Sequence, residues 1–459
     1  MAERRYFFCG IGGSGMLPLA RFLHAGGAAV EGSDRAFDQG RAPEVEKRLN
    51  EAGITTYKQD GSGIRSEDQI LVTSSAVEAI IPDVEAARAM GLRHMIRAEL
   101  LAETCNAATV SCGIAGTSGK STTTAMLAHI LTKAGCAPSV VNGAPMLNNL
   151  DTEGRASAWQ RGEGPFICEV DESDGSIARY DPSVGVVLNV SEDHKPMAEL
   201  KELFGGFAER SGKVVLGIDS EPVRVIAKAL PPGKAVTVSL EGEADIFARN
   251  VARTAGGLEA DIVAGEETSA LRMPLIGAFN VGNALAAIAA ARELGVSVAE
   301  ACEALSDFRG SARRLQQIGE AKGVTVIDDF AHNPDKIAAS IRALTHHFGQ
   351  LDIYYQPHGY GPLKSFRSLY EEAFASALRS EDRLTVSRPA FFGGTVTKTD
   401  DAERMVEAIA AAGRDAHYTE ERSGFTPRGG AGSALVVMGA RDDSLTVFAH
   451  ELLARVEQG

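Results

Sequence analysis

The chain has 459 residues, 44% hydrophobic and 23% charged, and its 61 Asp and Glu outnumber its 46 Lys and Arg to give a net charge of -15 at pH 7. That length exceeds one ordinary core and suggests roughly three domains of about 150 residues each. The acidic balance argues against a general nucleic-acid binder, which needs a basic footprint, and no apolar run reaches the ~18 residues that would cross a membrane.

The N-terminus, "MAERRYFFCGIGGSG", runs directly into a strand and a glycine turn without a leader pattern, so the cytoplasm is the expected compartment. Six cysteines, Cys9, Cys105, Cys112, Cys136, Cys168 and Cys302, are scattered with no C-x-x-C pair. They read as thiols, several of them buried in strands, with neither disulfides nor structural zinc expected.

In chain order, apolar runs alternate with helical stretches: "YFFCGI", "QILVTSS", "TVSCGIAG", "PFICEVDE", "VGVVLNV", "KVVLGI", "VTVIDD", "LDIYYQ", "DRLTVS" and "ALVVMGA". This alternation predicts an α/β chain with parallel sheets covered by helices on both faces. Met16, Leu19 and Leu23 recur at helical spacing before a stop at Gly26, and "STTTAMLAHILTKAG" stops likewise at Gly135. A new strand and loop unit at "CNAATVSCG" sets one boundary near residue 106, and the small, basic stretch "FRGSARR" sets another near 308 to 314. The expected domains are therefore 1–106, 107–308 and 309–459.

The first strand opens into Gly10, Gly12 and Gly15, a G-x-G-x-x-G spacing that lets backbone N–H groups approach a diphosphate at a helix N-terminus. About twenty residues later a second strand ends at Asp34, where a dinucleotide-binding domain keeps its ribose-binding acid. On this segment alone, an NAD enzyme is the leading reading.

"GIAGTSGKSTTT", residues 113 to 124, repeats the strand, glycine turn and helix. Gly119, Lys120 and Ser121 supply backbone donors, a cation for terminal phosphates and a hydroxyl for Mg²⁺. The strict G-x-x-x-x-G-K-[ST] spacing fails, because Ile114 stands five before Gly119; the match is to the shorter G-T-x-G-K-[ST]-T. Past the next apolar strand, Glu169, Asp171, Glu172 and Asp174 gather at a strand end, where ligands sit in open parallel sheets. Mg²⁺ takes only one or two carboxylates beside phosphates and waters, so not all four are ligands; Glu172 or Asp174 can equally cap the next helix. His194 reads as a structural or a metal-site histidine, and Asn280 or Asn283 as caps of an alanine-rich core helix. Arg313 and Arg314 are either linker charge or permanent cations for phosphates.

The second loop resembles the ATP loop of the Mur ligases, which build the peptide stem of peptidoglycan, and the likeness covers nearly the whole chain. "GIGGSGMLPLARFLHAGGAAVEGSD", "VTSSAVEAIIPDVEAARAMG" and "IRAELLAE" are similar to the N-terminal domain of the members that attach L-alanine to UDP-N-acetylmuramate; "EVDESDGS", "NVSEDH", "FNVGNALAA", "RGSARR" and "DDFAHNP" follow in the family's order. The resemblance implies a three-domain fold: an N-terminal Rossmann-like UDP-binding domain, a central P-loop ATPase domain and a C-terminal Rossmann-like domain. It gives the first loop to a UDP-sugar rather than NAD, through Gly12, Gly13, Ser14, Gly15, Met16, Ser33, Asp34, Ser74 and Ser75. It gives ATP to Gly116, Thr117, Ser118, Gly119, Lys120, Ser121, Thr122, Asn280, Arg313 and Asp329, and Mg²⁺ to Ser121, Glu169 and His194. Lys120, Glu169, His194 and His332 become the catalytic set. The implied reaction is ATP-dependent amide formation: a carboxylate attacks the γ-phosphate, and an amine attacks the acyl phosphate. Three-domain spread of these groups implies closure over an intermediate that water would hydrolyse. The implied partners are a UDP-sugar and an amino acid or peptide, with no nucleic acid or membrane, in a monomer or homodimer.

Three departures stand out. Ser118 replaces the family's usual His and Ser121 its usual Thr. In "YYQPHGYGP", Gly359 and Pro362 replace two arginines that bind the incoming amino acid in the alanine-adding members. The near alternative is a recycling ligase that joins a preformed murein tripeptide to the same nucleotide sugar. An NAD oxidoreductase explains the first loop only, and a silent homologue is opposed by the presence of Lys120, Glu169 and Asp329.

Overall fold

In this computed structural model, residues 4–75, 77–191, 195–254, 256–391, 398–440 and 442–458 are described. Three sheets organise them. The first has five parallel strands, with Arg5–Cys9 at the centre between Ala29–Ser33 and Gln69–Thr73. Thr55–Tyr57 and Arg93–Ile96 form its edges. Strand order reverses at Arg5–Cys9, so the glycine loop that follows it opens at the switch point where such sheets bind ligands. The helix Met16–Ala25 begins at Gly15, ends at Gly26 and buries Met16, Leu19, Ala20 and Phe22.

The second sheet has ten strands and repeats the logic. Ser111–Ala115 lies between the parallel strands Val184–Val187 and Phe166–Glu169, and the helix Lys120–Lys133 follows it. Beyond the expected parallel core, this sheet is mixed. Ser139–Leu150 pairs antiparallel with Ala156–Gln160, and Ile246–Thr254, Gly257–Ala264 and Glu267–Met273 form an antiparallel meander. A connection as short as Gly265–Glu266 reverses the chain and cannot join parallel strands. The third sheet is parallel except for its edge strand, Gln316–Ala321, which returns antiparallel into Val324–Asp329.

By proximity the chain forms two compact units, residues 1–274 with 279–310, and 275–278 with 311–459. The position near 106 lies inside the first unit. One hydrophobic cluster there spans both sheets, taking in Phe8, Leu19 and Phe22 on one side and Phe166, Val170 and Phe207 on the other. The Phe22 and Phe166 rings are 5.3 Å apart, Arg161 stacks over Phe22 at 4.6 Å, and Arg21 lies 5.2 Å above Trp159. At about 1.5–3 kcal/mol for each large side chain buried, this cluster joins the two sheets into one body.

Candidate functional site

In the first glycine loop, nearly every backbone donor is spoken for. Gly10 and Ile11 N–H donate to Ser33 carbonyl oxygen, Gly13 to Gly10, and Met16 and Leu17 to Gly13. Gly12 N–H donates to Asp34 Oδ2 at 2.9 Å, while Asp34 Oδ1 accepts from Ala36 N–H at 2.8 Å and so caps the next short helix. Ser14 and Gly15 N–H remain without a protein acceptor among the described residues. Two expected loop residues turn inward instead. Met16 is part of the core, and Ser33 is fully buried with its hydroxyl donated to Asp83, so neither side chain reaches the loop surface. Ser74 and Ser75 follow the strand Gln69–Thr73, with Ser75 exposed.

The second loop presents a larger cradle. Gly119 sits at φ +91°, a left-handed conformation that favours glycine, and a Cβ there would collide with Asn283 Oδ1. Thr117 N–H donates to Asn189 carbonyl oxygen, Ser118 N–H to Asn189 Oδ1 at 2.9 Å, and Asn189 Nδ2 back to Ser118 O at 3.0 Å. Thr117 Oγ1 donates to Ser191 O and accepts Ser191 N–H at 3.0 Å. With both flanks pinned, the N–H groups of Gly119, Lys120, Ser121 and Thr122 find no acceptor among the described residues. Four convergent donors at a helix N-terminus form an anion site.

Lys120 Nζ donates to Gly116 O at 2.6 Å and to Glu172 Oε2 at 2.9 Å. Burial pulls this ammonium's pKa down, but Glu172, Asp171 and Glu169 outweigh it and the net shift is upward, so Lys120 is held charged. Burial likewise pushes the Asp171 carboxyl up, and Lys120 leads the groups that bring it below its usual value. Ser121 Oγ donates to Glu169 Oε2 at 2.8 Å, bringing a hydroxyl and a carboxylate oxygen together at the start of the helix. Asn142 Nδ2 donates to Ser121 O at 3.1 Å, and a Cβ at the neighbouring Gly143 would overlap the Glu169 carboxylate. Asn280 is buried at the start of the helix Phe279–Glu293 and accepts from Asn283 Nδ2 at 3.0 Å. Among the described residues no group of three or more His, Cys, Asp or Glu is placed to hold a metal. His194 lies outside the described residues.

The second compact unit carries the remaining candidates. Asp329 is buried, which pushes its carboxyl up against the pull of Ser340 and of Leu315 N–H, donated at 3.2 Å. His332 Nδ1 lies 3.0 Å from Phe330 O; since a carbonyl only accepts, Nδ1 carries the hydrogen and Nε2 the lone pair. Burial brings this imidazole down to about 4, so it is neutral at pH 7. Its ring stands edge-on to His358 at 5.1 Å, and Tyr370 Oη fixes its backbone by donating to His332 O at 2.7 Å.

Known families match along most of the chain: the Mur ligase family catalytic domain over residues 5–109, the Mur ligase middle domain over 114–291 and the Mur ligase glutamate ligase domain over 313–441. The UDP-N-acetylmuramate–L-alanine ligase of Dinoroseobacter shibae is 32% identical across 98% of this chain and 97% of its own length. The chain belongs to the Mur ligase family. The ligase of the same name from Desulfosudis oleivorans is 34% identical over 91% of this chain and 90% of its own. Among solved structures, the Mur ligase fold here matches UDP-N-acetylmuramate-alanine ligase of Thermotoga maritima with a TM-score of 0.79 at 23% identity, over 99% of both chains. It matches a murein peptide ligase of Psychrobacter arcticus with a TM-score of 0.69, also at 23% identity, over 99% of this chain and 98% of that one.

In this Mur ligase, Gly116 to Thr122, Glu169 and Asn280 share one unit with the first loop. Arg313 is one of the two neighbouring arginines expected at a nucleotide. Its side chain is buried, with Nε donating to Asp328 Oδ1 at 3.3 Å and Nη2 to Gly439 O at 2.7 Å, so it braces the third sheet. Burial pushes the Asp328 carboxyl up, and Arg313 leads the pull downward. Arg314 lies over Phe330 at 5.0 Å, half-exposed and without an ion pair among the described residues. Glu172 is the counter-ion of Lys120 rather than a helix cap, whereas Asp174 does accept Ser176 N–H at 2.9 Å. Sequence reasoning missed Asn142, Gly143 and Asn189. Asn189 alone left a signal, as a polar residue directly after the apolar strand "VGVVL".

Proposed function

We propose that this ATP-dependent ligase joins the carboxylate of UDP-N-acetylmuramate to the amine of an amino acid, forming an amide with release of ADP and phosphate. The names of its curated relatives support that donor, and the observation that carries the chemistry is the cradle Gly119–Thr122 with Lys120 beside it. A carboxylate and a triphosphate repel, so the reaction needs fixed positive charge between them. Lys120, held charged, supplies it to the terminal phosphates. The four free N–H groups hold phosphate oxygens, and we assign Asn280 to the adenine. Ser121 and Glu169 offer the hard oxygen ligands that suit Mg²⁺, and His194 would add an imidazole nitrogen; that ion supplies charge neutralisation on the phosphates when bound. Arg314 rather than Arg313 offers its guanidinium, Asp329 serves the nucleotide, and neutral His332 offers Nε2 to a proton leaving the acceptor ammonium. We assign these roles to domains 1–106, 107–308 and 309–459, and the enzyme to the cytoplasm, where its nucleotide substrates lie.

One observation favours a larger acceptor as the second reading. Arg367, the arginine nearest to Gly359 and Pro362 along the chain, donates to Asp401 Oδ1 at 2.9 Å and pairs with Glu371 at 3.2 Å. Its guanidinium is committed, which leaves a murein tripeptide, anchored through its own peptide groups, as the alternative amine. The test is ADP release with UDP-N-acetylmuramate and ATP against a panel of amino acids and L-alanyl-γ-D-glutamyl-meso-diaminopimelate. Donor-dependent ADP release with at least one amine is expected; none with any amine overturns the assignment.

A further inference from the structure

Arg388 is an exposed arginine directly beyond the strand Arg383–Ser387, and the catalytic assignment leaves it unused. Its backbone is strapped to the neighbouring strand ends: Arg388 N–H donates to Thr419 O at 3.1 Å, and Ala390 N–H to Pro357 O at 2.8 Å, just before His358 and Gly359. Leu384 and Val386 belong to the cluster that holds Tyr355, Leu363 and Tyr370. Side chains two apart along a strand share a face, so Arg388 continues onto that side of the sheet. Tyr370 Oη fixes His332 O from the same side. Burial pushes the Tyr418 hydroxyl up; Glu403, Glu420 and Tyr360 add to that and Arg388 opposes it, which sets this guanidinium near Tyr418 and the Tyr360 that follows Gly359. Tyr360 in turn stands edge-on to Phe391 at 6.3 Å. No hydrogen bond or ion pair joins the Arg388 guanidinium to another described residue.

We infer that Arg388 determines acceptor choice by holding a carboxylate at least one residue removed from the attacking amine, so that the acceptor is a peptide. The inference rests on the reading of the chain as a ligase with an amine acceptor, and it names the cation for that acceptor. Gly359 and Pro362 offer no charge, and Arg367 is already paired with Asp401 and Glu371. In the third sheet the strands run Val324–Asp329, Ser433–Gly439, Gln350–Gln356 and Arg383–Ser387. His332 follows the first of these, Gly359 the third and Arg388 the fourth. Neighbouring strands lie about 4.8 Å apart, so a carboxylate at Arg388 sits one strand spacing farther from His332 than one at Gly359. An α-amino acid, whose amine and carboxylate share one carbon, is too short for that step. A planar guanidinium fork takes a carboxylate through two parallel hydrogen bonds, which a lysine cannot reproduce.

The test is steady-state ADP release by the full-length enzyme with three acceptors: L-alanyl-γ-D-glutamyl-meso-diaminopimelate, the same peptide with its carboxylates converted to amides, and L-alanine. Arg388→Ala should raise KM for the free peptide about fivefold or more, the effect of losing one exposed charge-assisted contact, with kcat little changed. The amidated peptide should start from a higher KM and not respond to the substitution. Arg388→Lys, which keeps the charge and loses the fork, should fall between. A rise below twofold for the free peptide overturns the inference, and so does an equal rise for the amidated peptide, which would mark a general disturbance of the site. An effect confined to L-alanine, or a wild-type enzyme that uses L-alanine and not the peptide, also overturns it. If the wild type releases no ADP with any of the three, the ligase reading itself fails, and the inference falls with it before any variant is compared.

Discussion

Gly143→Ala is a one-carbon test of how Glu169 is held. A Cβ at this position would overlap Glu169 Oε1 and lie 2.8 Å from Cδ, so the carboxylate has to swing away. The swing breaks the Ser121 Oγ to Glu169 Oε2 hydrogen bond of 2.8 Å and moves the acid from the helix start where phosphates and metal would meet. A hydrogen bond to a charged group is worth about 1.5–3 kcal/mol. Carried fully into the transition state, that is a loss of roughly 10- to 150-fold in kcat/KM. The backbone should not suffer: Gly143 lacks a positive φ, and alanine is favoured over glycine in a strand by about 0.5–1 kcal/mol. The assay is ADP release under saturating amine, with thermal unfolding in parallel. Activity within twofold of wild type at unchanged Tm would show that Glu169 does not need this position.

Lys120→Ala should lower kcat more than tenfold, and it should also lower Tm, since it leaves Glu172 buried without its cation at a cost on the order of 3 kcal/mol; adding Glu172→Gln should restore Tm but not activity, and recovery of activity would refute the phosphate role. His332 has its folded-state pKa depressed to about 4 from an ordinary value near 6.5. The unfolded chain therefore binds its proton first, so its contribution is full above about 6.5 and is lost as pH falls toward 4, by at most about 3 kcal/mol. Denaturant unfolding of wild type and His332→Gln at several pH values should show the gap between them changing across that window; a constant gap would contradict the burial argument. L-alanine should be a weak acceptor because Gly359 and Pro362 carry no guanidinium and Arg367, the arginine nearest to them along the chain, is paired with Asp401 and Glu371. A kcat/KM for L-alanine tenfold above every other amino acid and the tripeptide, about 1.4 kcal/mol, would refute this.

Much of the fold was legible because strands here are buried on both faces and read as continuous apolar runs: all ten quoted segments became strands of the three sheets. What the sequence concealed were the antiparallel additions. Ile246–Thr254 is exposed along most of its length, so it lacks an apolar run, and Ser139–Leu150 is interrupted by Gly143, Pro145 and three asparagines. The phosphate loop was legible in its residues, because Gly, Lys and Ser at fixed spacing are dictated by chemistry. Its supports were not: Asn189 and Gly143 act through a side-chain clamp and an empty volume, and neither has a periodicity to read. Arg313 and Arg314 were indistinguishable as neighbours, and only the placement of Asp328 and Gly439 shows which is internal. The inward turn of Ser33 was hidden for a related reason, since its hydroxyl serves Asp83 on the helix Pro82–Ala89.

The cluster that locks Phe22 against Phe166 acts as a ruler. Because the first loop and the Lys120 cradle are mounted on one packed body, the gap between them is set by core side chains rather than by a hinge. A donor that puts its diphosphate on one loop and its carboxylate at the other has to match that gap with its sugar and linker. Chemical likeness at either end does not compensate for a spacer one or two bonds too long or short. If both loops hold one donor, a substitution deep in the shared core, far from any ligand atom, would alter the length that the protein accepts.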